Sequence, residues 1–153
     1  LGHDWILPGP RHQKKVNSFS CSSSIMEQIQ KFPSALVVGL DPVGIEIACA
    51  LAQASEWIDL SLYDPHIVEE IDLKRHSSFF KKSDRGRRRD KALKRVLTDT
   101  FNRPCTVLGA EPDIADVEGY SVLILVNARM DKVLAFDEHC RAAGVALVAA
   151  AAE

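Results

Sequence analysis

Short runs of mainly apolar residues recur along the chain and predict the strands of a buried sheet. The runs cover residues 35–39, 58–63, 105–108, 120–126 and 145–150. The first run, 35–39, is apolar throughout, which is typical of a parallel strand covered on both faces. Helical spacing of apolar residues marks 44–54, about 90–101, and 130–143, where Gly144 ends the pattern. This alternation predicts an α/β, Rossmann-like fold with an open, mostly parallel sheet and helices on both faces.

The first 24 residues follow neither a helix nor a strand period. They are rich in Gly, Pro and Ser, which predicts an extended or mobile lead-in. After it, Ile25, Ile29 and Phe32 fall at i, i+4 and i+7 behind a serine, which is typical of a two-turn helix stopped by Pro33. We therefore expect a lead-in over 1–24 and one Rossmann-like domain over 25–153.

The first strand runs into a glycine turn of the kind that opens nucleotide-binding βαβ units. Gly39 and Gly44 frame this turn, and Asp64 follows Gly44 by twenty residues, the place of an acid that binds a ribose hydroxyl. The alternative for Asp64 is a simple Asp-Pro turn after a strand. The motif Gly-x-Gly-x-x-Gly is broken because Asp41 stands at its middle glycine and Pro42 lacks an N–H donor. The sequence thus predicts a turn that keeps the fold of the βαβ unit but has lost its ability to bind a phosphate.

Bulk composition is that of a single soluble globular domain. The chain has 153 residues, of which 46% are hydrophobic and 26% charged. No stretch reaches the roughly 18 apolar residues of a membrane span, and the N-terminus lacks the order of a signal peptide. We expect no membrane partner and a cytoplasmic or nuclear location.

The positions of cysteine and histidine argue against a metal centre or a hydrolytic triad. Cys21, Cys49, Cys105 and Cys140 are far apart and form no Cys-x-x-Cys pair. Reduced, mostly buried thiols are the expected result. The five histidines show no sequence arrangement with an acid and a nucleophile that is typical of a hydrolase.

A basic segment interrupts an otherwise acidic chain. Residues 74–95 hold eleven of the 19 Lys and Arg residues but two of the 21 Asp and Glu residues. Clustered arginines favour phosphate or nucleic acid, and 85–89 also resembles a nuclear-localisation patch. The alternative is a solvated loop leading into a helix, and composition leaves both interpretations open.

Linked motifs resemble a known family. Leu-Val-Val-Gly-Leu-x-x-Val-Gly-Ile-Glu-Ile-Ala at 36–48, Leu-Ser-Leu-Tyr-Asp at 60–64, Asp-Leu at 72–73, Phe-Phe at 79–80 and Asp-x-Gly-Arg-x-Arg at 84–89 occur in that order. This order resembles the ubiquitin-activating enzymes and their relatives, the ThiF-like superfamily that includes bacterial adenylating proteins of molybdopterin and thiamine biosynthesis. The resemblance extends over about 25–153 and implies a half-domain of a longer enzyme.

Three departures imply the half that does not adenylate. In the family, the adenylating half reads Gly-x-Gly-Gly-x-Gly, Asn-Leu-x-Arg-Gln-Phe and a magnesium-binding Asp after the fourth strand. This chain has Asp41-Pro42 at the turn, Asp72 for the Asn, and Asn127 for the magnesium ligand. Arg75 aligns with the nucleotide-contacting Arg, so Gly39, Gly44, Asp64 and Arg75 together are predicted to form a degenerate nucleotide site.

A second pattern also fits the non-adenylating half. The resemblance places Arg87 and Arg89 on its Gly-Lys-x-Arg-Ala motif, although Asp90 departs from the Ala. We expect these two arginines to face a phosphate or a partner.

The resemblance implies a scaffolding function. The chain would pair with an adenylating half, in the same polypeptide or a separate subunit, that uses ATP and Mg²⁺ to activate ubiquitin or a ubiquitin-like protein for thioester transfer. No catalytic residue and no cofactor are expected for this chain alone. A nucleotide- or nucleic-acid-binding module using 74–95 remains the alternative; a Rossmann oxidoreductase fragment is disfavoured because Asp41 would oppose a pyrophosphate.

Overall fold

Five parallel strands form one sheet in the part of the chain that the structure describes, as expected from the sequence. The structure is a computed structural model and describes residues 33–54 and 56–151. The strands are β1 (Ser34–Val38), β2 (Asp59–Tyr63), β3 (Thr106–Val107), β4 (Val122–Val126) and β5 (Ala146–Ala150). Their order in the sheet is β3-β2-β1-β4-β5, with every pairing parallel. The predicted α/β, Rossmann-like fold is therefore confirmed, whereas the lead-in and the helix predicted before Pro33 lie outside the described residues.

Four helices lie between the strands in the described ranges. They are α1 (Pro42–Ala54), α2 (Glu70–Arg75), α3 (Arg89–Phe101) and α4 (Met130–Ala143), with 3₁₀ turns at Lys82–Asp84 and Ala115–Gly119. The bounds of α4 are those predicted, while α1 begins two residues before Gly44. The short α2 was not predicted, because its six residues are mostly charged and show no sustained apolar period. None of the helices in the described ranges has the length and apolarity that a bilayer crossing requires.

The core lies on both faces of the sheet. Alternate residues of β1 point to opposite sides: Ala35 and Val37 join the cluster that contains α1 and α3, whereas Leu36 and Val38 join the one that contains α4. All five β1 residues are buried. Coverage on both faces explains why β1 is apolar from Ala35 to Val38.

The strand order places a crevice beside β1. From β1 the chain proceeds outward to β2 and β3, and it returns to the other side of β1 with β4 and then β5. The position beside β1 where the chain changes direction in this way is called a topological switch point. Ligands of open α/β sheets bind there, outside the carboxyl ends of the strands. Here Gly39 and Asp41 follow β1, and Asn127 follows β4.

Candidate functional site

The two glycines of the first turn are required by close packing. Gly39 has a φ of +92°, and a Cβ there would lie 2.5 Å from the carbonyl oxygen of Val126. A Cβ on Gly44 would lie 2.0 Å from the carbonyl oxygen of Gly39. The Gly39 N–H donates to the carbonyl of Tyr63 at 2.9 Å. The glycines therefore let helix α1 start directly against the ends of β1 and β4.

Asp41 caps helix α1 with its own carboxylate. Its Oδ1 accepts the N–H groups of Val43 at 3.0 Å and Gly44 at 3.1 Å. Pro42 occupies the first helical position, where the missing N–H costs nothing. The side-chain amide of Asn127 donates to Oδ2 of Asp41, across the switch point. A carboxylate of the chain thus takes the position at a helix N-terminus that favours an anion.

Asp64 is buried and holds the loop that follows β2. It is 1% exposed, and its Oδ2 accepts the N–H of Leu40 at 2.7 Å. Its Oδ1 accepts the N–H of His66 at 2.9 Å and lies 2.7 Å from Nδ1 of the same residue. Arg89 approaches Oδ2 to 3.9 Å. Both carboxylate oxygens are therefore engaged within the chain.

Three arginines of the basic segment pair with three buried aspartates. The pairs are Arg88 with Asp90, Arg89 with Asp72, and Arg95 with Asp84. The aspartates are 0%, 7% and 0% exposed, respectively. Buried carboxylates need such partners, since an unpaired buried charge is costly. Internal ion pairs therefore hold three arginines of the segment, while its other Lys and Arg residues are exposed, as expected of a solvated loop that leads into a helix.

Arg88 joins the ends of two strands. It donates to Asp90 and to the carbonyl of Leu108 at 3.2 Å, and its guanidinium lies 5.6 Å from the centre of the Tyr63 ring. The hydrogen bond to Asp90 raises the pKa of Arg88 despite its partial burial. Asp90 Oδ2 also accepts the N–H of Asp64 at 3.0 Å. Asp90 thus links the start of α3 to the loop that follows β2.

The pair between Arg95 and Asp84 fixes the first 3₁₀ turn. Arg95 donates to the two Asp84 oxygens at 2.6 and 3.2 Å, and the Lys81 N–H donates to Oδ2 at 2.8 Å. Burial alone would raise the pKa of Asp84, but these hydrogen bonds and the charges of Arg95 and Arg87 lower it below its ordinary value. Asp84 is accordingly held as an anion inside the fold.

The structure brings some of the predicted site residues together and separates others. The turn and the loop after β2 meet through Gly39, Gly44 and Asp64. Arg75 is exposed as the last residue of α2, and Arg87 is also exposed, with its carbonyl accepting the Val68 N–H at 2.8 Å. Arg89 instead turns inward to Asp72 at 3.1 Å. The side chain of Arg87 therefore faces solvent, whereas that of Arg89 is engaged in an ion pair within the chain.

Two residues of this network were missed in the sequence. His66 contacts Asp64, and the spacing Asp-x-His after a strand was the available signal. Asp90 stands where the family motif has Ala, and its carboxylate forms an ion pair with Arg88. The sequence does not reveal this pair, because both residues lie among many other charged residues.

The cysteines of the described residues are free and buried. Burial raises the pKa of Cys49 and Cys105 to about 11, and it also raises the pKa of Cys140. Such thiols are protonated at neutral pH and are poor nucleophiles. The expected reduced, buried state is confirmed for these three, while Cys21 lies outside the described residues. No cluster of three potential metal ligands occurs in the ranges 33–54 and 56–151.

Solved structures of two Escherichia coli proteins share this fold. MccB in complex with MccA superposes with a TM-score of 0.64 at 15% identity, over 83% of this chain and 39% of MccB. TcdA, a tRNA N6-threonylcarbamoyladenosine dehydratase, in complex with AMP gives a TM-score of 0.62 at 22% identity, over 76% of this chain and 50% of TcdA. The chain thus spans about half or less of the length of these proteins. No family model and no curated protein sequence matches the chain.

The class that fold and comparisons define is an α/β Rossmann-like domain of the architecture found in MccB and TcdA. MccB has also been solved with AMPCPP together with MccA. At identities of 15% to 22% the similarity establishes the fold.

Proposed function

We propose that this chain is a non-adenylating ThiF-like half-domain, from a ubiquitin-activating enzyme or a close relative. Its function is to scaffold an adenylating half that activates ubiquitin or a ubiquitin-like protein with ATP. Support comes from the ordered motifs between 36 and 89 and from a fold shared with MccB and TcdA. Both of those proteins have been solved with an adenine nucleotide or its analogue.

The observation that carries the proposal is the position of the Asp41 carboxylate. It accepts the N–H groups at the start of α1 that a phosphate would otherwise receive. An ATP phosphate approaching this point would meet a negative charge, so the residues present do not fit the nucleotide. Asn127 holds that carboxylate in place and supplies no negative charge for Mg²⁺.

The rest of the crevice is consistent with a scaffold. Both oxygens of Asp64 hold backbone N–H groups or His66, which leaves the acid poorly placed to bind a ribose. The buried thiols of Cys49, Cys105 and Cys140 favour thioester chemistry on another domain. Arg88, Arg89 and Arg95 pair with aspartates of the chain, so these three side chains are less available to a nucleic acid.

The test is reconstitution of ATP–pyrophosphate exchange in the presence of ubiquitin. The chain alone should show no exchange and no binding of a fluorescent ATP analogue. An adenylating half from the same genome, with an intact Gly-x-Gly-Gly-x-Gly turn, should show exchange that rises when the chain is added and a complex on size-exclusion chromatography. ATP binding by the chain alone, or absence of any complex with such a half, would overturn the proposal.

A further inference from the structure

A groove with an apolar floor and a cationic rim lies between α2 and the first 3₁₀ turn. One face of α2 contributes Glu70, Leu73 and Lys74, and the opposite wall contributes Phe80, Lys82 and Arg85. The cavity has a volume of about 620 Å³, within the range of ligand pockets. These six residues define the basic groove.

The rim carries three cations and one carboxylate. Glu70 lies 3.9 Å from Nζ of Lys74 and 3.6 Å from a terminal nitrogen of Arg85. All three of these side chains are more than 60% exposed, so the pairs are weak and open to competition. Lys82 is exposed as well. A ligand with several carboxylates would therefore gain more from the rim than Glu70 alone provides.

Buried ion pairs hold both walls of the basic groove. Asp84 with Arg95 fixes the 3₁₀ turn that presents Lys82, and Asp72 with Arg89 fixes α2. A rigid groove loses little conformational entropy on binding, which favours affinity.

We propose that the basic groove binds an acidic peptide segment that places one apolar side chain against the half-buried Leu73. Carboxylates of the peptide pair with Lys74, Lys82 and Arg85 and displace Glu70, which acts as an internal competitor. A peptide fits better than nucleic acid because Phe80 is only 2% exposed and offers no open face on which a base could stack. This inference is independent of the proposed pairing with an adenylating half.

The test is fluorescence anisotropy with a labelled octapeptide that has glutamates on both sides of one central leucine, titrated with the 153-residue chain. Lys82→Glu and Arg85→Glu should each weaken binding by about fivefold or more, because each reverses one charge of the rim. Glu70→Gln should tighten binding. Lys94→Glu makes the same charge change on α3, outside the groove lining, and should alter affinity less than about twofold at physiological salt.

Two further ligands define what would overturn the inference. A peptide with serine in place of the leucine should bind more weakly, and a single-stranded oligonucleotide of equal charge should bind more weakly than the leucine peptide. Equal binding of the serine peptide or of the oligonucleotide would contradict the inference. So would equal weakening by Lys94→Glu and Lys82→Glu, or no peptide binding up to 1 mM, a concentration that corresponds to about −4 kcal/mol. Circular dichroism of each variant establishes that the fold is retained.

Discussion

The carbonyl oxygen of Gly39 lies 2.0 Å from the point where a Cβ on Gly44 would sit. The end of strand β1 and the start of helix α1 are thus in direct backbone contact. In a nucleotide site, a glycine at the third motif position serves the same packing between helix and strand. Gly44 therefore serves this packing role here, while the Asp41 carboxylate accepts the N–H groups at the start of α1.

We expect Gly44→Ala to destabilise the chain by about 3 kcal/mol, because the added methyl group must displace backbone rather than a flexible side chain. Urea denaturation followed by circular dichroism would measure the free energy of unfolding. Gly109→Ala is the matched control, since a Cβ there meets nothing within 4 Å. Equal stability of the two variants would contradict the packing argument.

Replacing Asp41-Pro42 by Gly-Gly should leave the fold intact and restore no adenylate formation. Glycine is tolerated at a helix N-cap at a cost of a few tenths of a kcal/mol. Asp41→Asn is the matched control, because it removes the charge but keeps a good cap. Thermal unfolding and ATP–pyrophosphate exchange are the measurements, and turnover by either variant would contradict the proposal that the chain does not adenylate.

The elements of the sheet were predictable because they depend on local pattern. Apolar runs marked all five strands, and helix α4 was predicted at its observed bounds, Met130–Ala143. The start of α1 at Pro42 was not predicted. The reason is that Asp41-Pro42 was interpreted as a phosphate-binding turn that has lost its function. The same two residues form an N-cap and first helical position, a local signal for a helix start.

The interactions of the site could not be read from the sequence because they join residues far apart in the chain. Asp64 accepts the N–H of Leu40 across 24 positions, and Asp90 accepts the N–H of Asp64 across 26. Within residues 74–95, composition gave the excess of arginine but not which side chains turn inward. That choice depends on where β2, α2 and α3 place the buried aspartates.

Arg95→Met should destabilise the chain by about 3 kcal/mol at pH 7, because it leaves the Asp84 carboxylate buried without its partner. Arg141→Met is the control: Arg141 is 79% exposed and its pair with Asp137 should contribute less than about 1 kcal/mol.

The native pKa of Asp84 is lowered, so the stability from its pair with Arg95 is present above about pH 4, the ordinary carboxyl pKa, and is lost as the pH falls through the native value. The difference in unfolding free energy between the wild type and Arg95→Met should therefore narrow below pH 4. A difference that stays constant from pH 7 to pH 3 would contradict this explanation.

The buried thiols should make the chain less stable at alkaline pH. Cys49 and Cys105 have native pKa values of about 11, above the ordinary 9.0, because burial disfavours the thiolate. Their contribution is complete below pH 9, where the unfolded chain also keeps its protons, and it is lost as the pH rises to about 11. Each thiol should account for a loss on the order of 2 kcal/mol over that interval. Urea denaturation at pH 8, 9, 10 and 11 would measure the loss. The double variant Cys49→Ala and Cys105→Ala is the control, because its other alkaline groups still titrate. Parallel curves for the double variant and the wild type would show that these thiols ionise normally in the native state, contrary to the prediction.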